Sequence, residues 1–396
     1  MSPVVEISAH QKVSQGDFVM TNADVEARHD VTVAVVREKG ARFQIERASI
    51  DPPRPDDVIV RVVATGVCHT DMLVRDQDYP VPLPVVLGHE GSGIVEAVGS
   101  AVVGVEPGDH VVMTWPSCGK CRFCVQGHPT SCEKLFELSF GCARPDGSNA
   151  ILDQDGHTLH GHFFGQSSFS SFAVASERNV VKVTKEVPIE LLGPLGCGIQ
   201  TGAGAVFNAL KVWPRARLAV FGAGAVGLSA VMAARVAGAS MIIAVDVAPK
   251  RLELALELGA THVINSRESD PVATIQELAP GGTEFSIESS GRPAVLRQAV
   301  DALGKRGTCG VVGAPPIGSE VSFDINHIMV GERSILGIIE GNCAPQVFIP
   351  ELIELYRQGR FPFDKLVKFY PFDQINEAVR DSESGVTLKP ILTFPK

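Results

Sequence analysis

Arg217-Leu-Ala-Val-Phe-Gly222-Ala-Gly224-Ala-Val-Gly227 runs an apolar, β-prone segment into three spaced glycines and on into an alanine-rich helical segment. The spacing predicts a strand, a tight turn and a helix. Gly222 permits the turn, Gly224 lets the backbone approach a pyrophosphate, and Gly227 lets the helix pack closely on the strand. Unpaired N–H groups at the helix N-terminus favour an anion there. Asp246 ends the next β-prone run, Met241–Asp246. A carboxylate at that point accepts from a ribose 2′-hydroxyl and repels a 2′-phosphate, which favours NAD over NADP. Arg251 lies close enough to reach the adenosine side. A tight structural turn with a surface aspartate would explain the glycines alone, but not this strand–helix–strand setting.

Downstream of that turn, β-prone and helical segments alternate: Lys250–Leu258, His262–Ile264, Phe285–Glu288, Pro293–Ala302 and Gly307–Val312. The alternation implies βαβ units and a parallel sheet. Upstream the texture differs. From Val31 short β-prone runs follow one another, punctuated by glycine and by Pro52, Pro53 and Pro55, as in a compact, mostly antiparallel barrel. The change falls near Cys197. From about Ile339 a helix (Phe348–Arg357) and short strands follow, and the last strand, Pro390-Ile-Leu-Thr-Phe, is expected to return to the first domain. The expected division is an N-terminal extension over 1–30, poorly ordered, a barrel domain over 31–198, a cofactor domain over 199–338 and a return over 339–396.

With 396 residues the chain exceeds one ordinary hydrophobic core, which agrees with two domains. The formal net charge of -10 and the lack of a lysine-arginine cluster argue against nucleic acid and anionic membranes as partners. The stretch Ala219–Val245 is apolar enough to suggest a membrane span, but it breaks at Gly222-Ala-Gly224 and reads as buried strand, turn, helix and strand. No secretory signal pattern opens the sequence. Nine cysteines, four of them clustered, suit a reducing compartment, and a cytoplasmic location is expected.

The cluster is Cys118-Gly-Lys-Cys121-Arg-Phe-Cys124 followed by Cys132. Four thiolates close a tetrahedral zinc shell with no vacancy, so this site is structural. Three other motifs are candidates for an open site: Cys68-His69-Thr70-Asp71, Gly88-His89-Glu90-Gly91 and Gly196-Cys197-Gly198. Singly, each has a plain reading, since a lone cysteine is usually a small buried hydrophobe.

Taken in order, these motifs resemble the zinc-dependent medium-chain alcohol dehydrogenases. That family carries the Gly-His-Glu motif followed by a glycine-rich strand, a cysteine about twenty residues before it, the four-cysteine lobe after it, and a further cysteine just before the coenzyme domain. The resemblance runs from Val31 to Lys396. It implies an α/β protein with a GroES-like barrel-type catalytic domain plus a Rossmann doubly wound coenzyme domain. By resemblance Cys68, His89 and Cys197 hold a catalytic zinc, and Cys118, Cys121, Cys124 and Cys132 a structural one, two zinc ions per chain. Glu90 lies behind the catalytic metal as a transient ligand, Asp71 orients His89, and Thr70 accepts the alcohol proton. His69, Val312 and Lys389 join Gly222, Gly224, Gly227, Asp246 and Arg251 at the cofactor NAD. A homodimer or homotetramer is implied, pairing through the apolar edge at 333–339.

The sequence also departs from the family. His69 stands where an arginine often binds pyrophosphate, Leu73 where a histidine often ends the proton relay, and Lys389 where an arginine often contacts pyrophosphate. These features, with Gly337-Ile-Ile-Glu-Gly341 and Phe361-Pro-Phe-Asp-Lys-Leu366, look like the bacterial aryl-alcohol (benzyl-alcohol) dehydrogenases. Phe136 replaces the arginine with which glutathione-dependent formaldehyde dehydrogenases hold a carboxylate, which favours an apolar, aromatic substrate. Trp115 has two readings, lining the pocket or packing the barrel. The expected reaction is reversible oxidation of a primary aromatic or allylic alcohol. The alternatives are a glutathione-adduct dehydrogenase, a general aliphatic alcohol dehydrogenase and, outside enzymes, a zinc-knuckle interaction module.

Overall fold

The computed structural model describes residues 28–395. The extension expected over 1–30 therefore lies outside the described residues as far as residue 27, and its last residues already belong to the strand His29–Val36.

The first half forms two sheets. A five-stranded one is built on the antiparallel pair His29–Val36 and Gln44–Ile50, and a seven-stranded one on Asp57–Gly66. Alternation along that strand explains why almost every residue in it is apolar. Val58, Val60 and Val62 enter one core, while Ile59 enters another with Val33, Leu87 and Phe169. Asp57–Gly66 pairs antiparallel with Glu90–Val98 and with Lys389–Thr393, so the end of the chain closes the sheet begun by its start. Gly66 lies opposite both Glu90 and Ile391.

The second half is a six-stranded parallel sheet in the order His262–Asn265, Met241–Asp246, Arg217–Phe221, Thr283–Glu288, Leu303–Val311 and Ser334–Gly337. Numbered along the chain this is 3-2-1-4-5-6, the doubly wound order, which leaves a crevice where strands one and four diverge. Leu218, Val220, Ile242 and Ala244 pack on one face, and Ala219, Phe221, Ile243 and Val245 on the other. Burial on both faces makes the stretch continuously apolar. Among the described residues no helix is long and apolar enough to cross a membrane.

Two helices of this half escaped the sequence reading, Pro271–Leu278 and Ile325–Gly331. Their signals are local. Asp270 caps the first by accepting from the Val272 and Ala273 N–H groups at 2.8 and 3.1 Å, and Pro271 starts it. Asp324 caps the second through the Asn326 N–H at 2.9 Å. Between the halves, the helix Gly198–Gly204 follows Cys197 directly and packs on Ala225–Ala237. A methyl on Gly202 would stand 2.0 Å from the Val226 carbonyl oxygen, so this close approach requires glycine.

Candidate active site

Two clefts of about 420 Å³ each meet between the halves and share Cys68, His69, Gly198, Val226, Ser289 and Ser290. The first runs along the glycine turn past Asp246, Arg251 and Lys389. Gly222 has φ +97, a backbone state that a side chain strains. A methyl on Gly227 would lie 1.8 Å from the Gly222 carbonyl oxygen, whereas one on Gly224 would meet nothing within 4 Å. Gly224 thus leaves an open approach for a ligand, and Gly227 lets helix and turn touch. The Asp246 carboxylate accepts from the backbone N–H groups of Ala223, Val247 and Ala248 at 2.7, 2.8 and 2.9 Å. It therefore locks the glycine turn to the second strand, with about one acceptor site left over.

At the junction of the clefts Cys68, His89, Glu90 and Cys197 bring their ligand atoms within 4.8 Å of one another. Cys68 precedes the helix His69–Arg75, His89 and Glu90 sit at the head of the strand Glu90–Val98, and Cys197 precedes Gly198–Gly204. The His89 Nδ1 lies 2.9 Å from Asp71 Oδ1, and Phe164 stacks on the ring with centroids 4.5 Å apart. Asp71 also accepts from the Cys68 and Gly88 N–H groups at 2.9 and 3.1 Å, so one carboxylate fixes two of the three motifs. The His89 Nε2 is buried without a hydrogen-bond partner among the described residues. A buried imidazole nitrogen without a partner, facing two thiols, fits a zinc ion held by Cys68, His89 and Cys197.

The protonation pattern agrees. The Cys68 thiol is held well below its ordinary 9.0, first by the Cys197 thiol as donor and then by the Lys389 and His89 charges, which together outweigh burial. The Cys197 thiol is pushed well above 9.0 by its neighbour and by burial. Burial disfavours charge on His89, but the Asp71 and Cys68 anions outweigh it and raise the imidazole well above 6.5.

The second cleft continues from Cys68, Thr70 and Cys197 into a cavity walled by Trp115, Phe136, Phe140, Phe164 and Ile338. Trp115 belongs to the barrel core and also lines this cavity, so both of its readings hold. Phe136 is 63% exposed and stacks on Phe140 at 4.7 Å. Val312 lines the same cavity beside Ser289 and Ser290.

In the lobe, Cys118, Cys121, Cys124 and Cys132 also fall within 4.8 Å of one another. The Cys118–Cys124 and Cys121–Cys124 sulfurs are 4.0 and 3.5 Å apart. Four thiolates at about 2.3 Å from a tetrahedral zinc stand about 3.8 Å apart, so the geometry fits that ion. The Cys118 and Cys121 N–H groups donate to the sulfurs of Cys132 and Cys118 at 3.3 Å, which favours thiolate.

Comparison with known proteins agrees. Residues 54–185 match the family model of the alcohol dehydrogenase GroES-like domain, and 225–358 that of the zinc-binding dehydrogenases. A geraniol dehydrogenase of Castellaniella defragrans is 46% identical over 91% of this chain and 97% of its own. The chain belongs to the zinc-dependent medium-chain alcohol dehydrogenase family. Two solved structures are similar to this dehydrogenase over 93% of its chain and 100% of theirs. One is an alcohol dehydrogenase zinc-binding domain protein of Burkholderia ambifaria, with 60% identity and a TM-score of 0.92. The other is a benzyl alcohol dehydrogenase of Acinetobacter calcoaceticus, with 56% identity and a TM-score of 0.90. The substrate is a small-molecule alcohol, and the reading of the lobe as an isolated interaction module falls away.

The structure gives one expected residue of the coenzyme cleft a further partner and adds one residue. Lys389 was expected at the pyrophosphate. Its ammonium lies 2.8 and 2.9 Å from the two Glu90 oxygens and 3.3 Å from the Val67 carbonyl oxygen, so its three hydrogens are taken. Lys389 is 3% exposed and Glu90 fully buried, so each neutralises a charge the other could not bury alone. Burial lowers the ammonium, but Glu90 outweighs it, and Lys389 is held above its ordinary 10.5. The added residue is Glu340, part of the Gly337-Ile-Ile-Glu-Gly341 run but given no role from sequence. Its carboxyl lines the cavity 3.9 Å from the Cys197 sulfur and 3.2 Å from the Thr201 hydroxyl. Burial pushes it up to about 7. No local pattern marks Glu340, since only the fold brings it beside Cys197.

Proposed function

We propose that this dehydrogenase oxidises a primary aromatic or allylic alcohol, of the benzyl-alcohol type, to its aldehyde with hydride transfer to NAD, reversibly. The observation that carries the reading is the cavity of Trp115, Phe136, Phe140, Phe164 and Ile338 opening on Cys68 and Cys197. Flat aromatic walls suit a ring or a planar allylic chain and offer no cation to an anionic substrate. The names of the geraniol and benzyl alcohol dehydrogenases point the same way.

A zinc ion held by Cys68, His89 and Cys197 would supply Lewis acidity toward the alcohol or aldehyde oxygen. The chain's own groups do the rest. Thr70 stands in the cavity with its hydroxyl 3.8 Å from the Cys68 sulfur, where it takes the alcohol proton. Leu73, 6% exposed, cannot pass that proton on, so it leaves along the cleft that His69 lines. Asp71 and Phe164 orient the imidazole of His89, and Lys389 balances the Glu90 carboxylate beside the metal ligands. Asp246 selects NAD, its remaining acceptor site facing a ribose hydroxyl. The lobe holds the second zinc, two per chain, and stiffens the loop beside Trp115. Residues 31–198 with 339–396 form the catalytic domain and 199–338 the coenzyme domain. Two chains pair through the edge strand Ser334–Gly337, where Ile335 is exposed, as a dimer or a pair of dimers. None of the nine cysteines is in a disulfide, which suits the cytoplasm.

The test is NAD reduction with benzyl alcohol, geraniol, ethanol and hydroxymethylglutathione. The expected order of kcat/KM puts benzyl alcohol or geraniol first. Ethanol ahead of benzyl alcohol would overturn the aromatic reading, and a rate dependent on glutathione would replace it.

A further inference from the structure

The aromatic wall of the substrate cavity contains two polar groups that the fold leaves without partners. Trp115 and Ser139 both line the cavity, and each is 2% exposed. The Trp115 Nε1 and the Ser139 Oγ are buried with no hydrogen-bond partner among the described residues. An indole nitrogen can only donate, and a serine hydroxyl donates or accepts. Leaving such a group buried and unpaired is unfavourable, and native interiors usually pair them.

The fold had a simple remedy for Ser139 and does not use it. A helical serine can donate to the carbonyl four residues back, as Ser229 does to Ala225 at 2.7 Å. Ser139, in the helix Leu135–Phe140, makes no such bond. Around both groups the wall is otherwise apolar, with Leu135, Phe136, Phe140 and Phe164. An unsubstituted ring or a terpene chain would offer neither group a partner.

We infer that Trp115 and Ser139 form a polar subsite in the aromatic wall that takes an oxygen substituent on the ring, so that the preferred substrates are hydroxy- or alkoxy-substituted aryl carbinols. The inference rests on the aromatic-alcohol reading above and narrows it. The ring oxygen accepts from the indole N–H, the serine O–H or both, and the carbinol stays at the Cys68–Cys197 end. Discrimination arises because a site built around buried donors disfavours an analogue that leaves them unpaired.

The experiment compares kcat/KM for 3- and 4-hydroxybenzyl alcohol with that for 3- and 4-methylbenzyl alcohol, which have nearly the same shape, in the holoenzyme and in Ser139→Ala and Trp115→Phe. The wild type is expected to favour the better hydroxy compound about tenfold, the size of one good buried hydrogen bond. That ratio should collapse toward one in at least one variant. Comparing a ratio within each variant cancels any general loss of folding or turnover. A wild-type ratio near one, or a ratio unmoved in both variants, overturns the subsite. Failure of the wild type with every benzyl alcohol would instead overturn the aromatic-alcohol reading itself.

Discussion

At the scale of single residues, the pair formed by Lys389 and Glu90 is the most exposed to test. Among the described residues neither charge has another partner of opposite sign within hydrogen-bond reach, and both are buried. Removing one leaves the other uncompensated, which typically costs about 3–5 kcal/mol. Lys389→Met should lower the unfolding free energy from denaturant titration by that order, with a matching fall in the midpoint, and adding Glu90→Gln should restore much of it. Equal midpoints for wild type and Lys389→Met would show that the pair is not needed. Gly66 belongs to the same arrangement. A methyl there would stand 2.0 Å from a Glu90 carboxylate oxygen, so the strand opposite Glu90 must carry no side chain at that point.

Among the elements, the strand–turn–helix at 217–237 separates folding from binding. Gly227→Ala forces a methyl to 1.8 Å from the Gly222 carbonyl oxygen, and it should lower stability and coenzyme affinity together. Gly224→Ala meets no atom of the chain within 4 Å. It should leave the thermal midpoint within about 2 °C of wild type, since a solvent-side change of this kind costs only a few tenths of a kcal/mol. Its NAD dissociation constant should nevertheless rise by about tenfold or more, because the new methyl occupies the approach of the pyrophosphate. Calorimetric melting and fluorescence titration with NADH measure the two effects. A Gly224→Ala protein that binds NADH normally would remove the pyrophosphate from this turn.

For the whole molecule, His162 ties stability to pH. It sits in the left-handed region, φ 58, and is 8% exposed beneath the barrel. Burial first, then the charges of Arg144 and Arg54, lower its pKa from the ordinary 6.5 to about 3. Between those values the unfolded chain takes up a proton that the folded chain refuses, so stability falls as pH drops below 6.5. The slope from this one group is about 1.4 kcal/mol per pH unit. His162→Asn keeps a residue that tolerates the positive φ and removes the titration. Its unfolding free energy should run parallel to wild type above pH 7 and gain on it by that slope at lower pH. Parallel curves down to pH 5 would place the acid sensitivity elsewhere. Much of the architecture behind this was readable beforehand. The antiparallel barrel, the parallel sheet and the strand Met241–Asp246 follow from short apolar runs, their glycine and proline punctuation and their alternation with helical segments. The helices at 271 and 325 could have been read from Asp270-Pro271 and Asp324. The cysteine lobe could be read because its ligands lie close in sequence. The sequence alone therefore determined the fold class, the glycine turn and the family, all of which depend on spacing along the chain. Only the tertiary structure decided that Lys389 serves Glu90, that Glu340 stands beside Cys197, and that Trp115 and Ser139 share one cavity wall. Those juxtapositions join residues up to 299 positions apart, and no local pattern encodes which distant side chain will meet a buried charge or leave a buried donor unpaired.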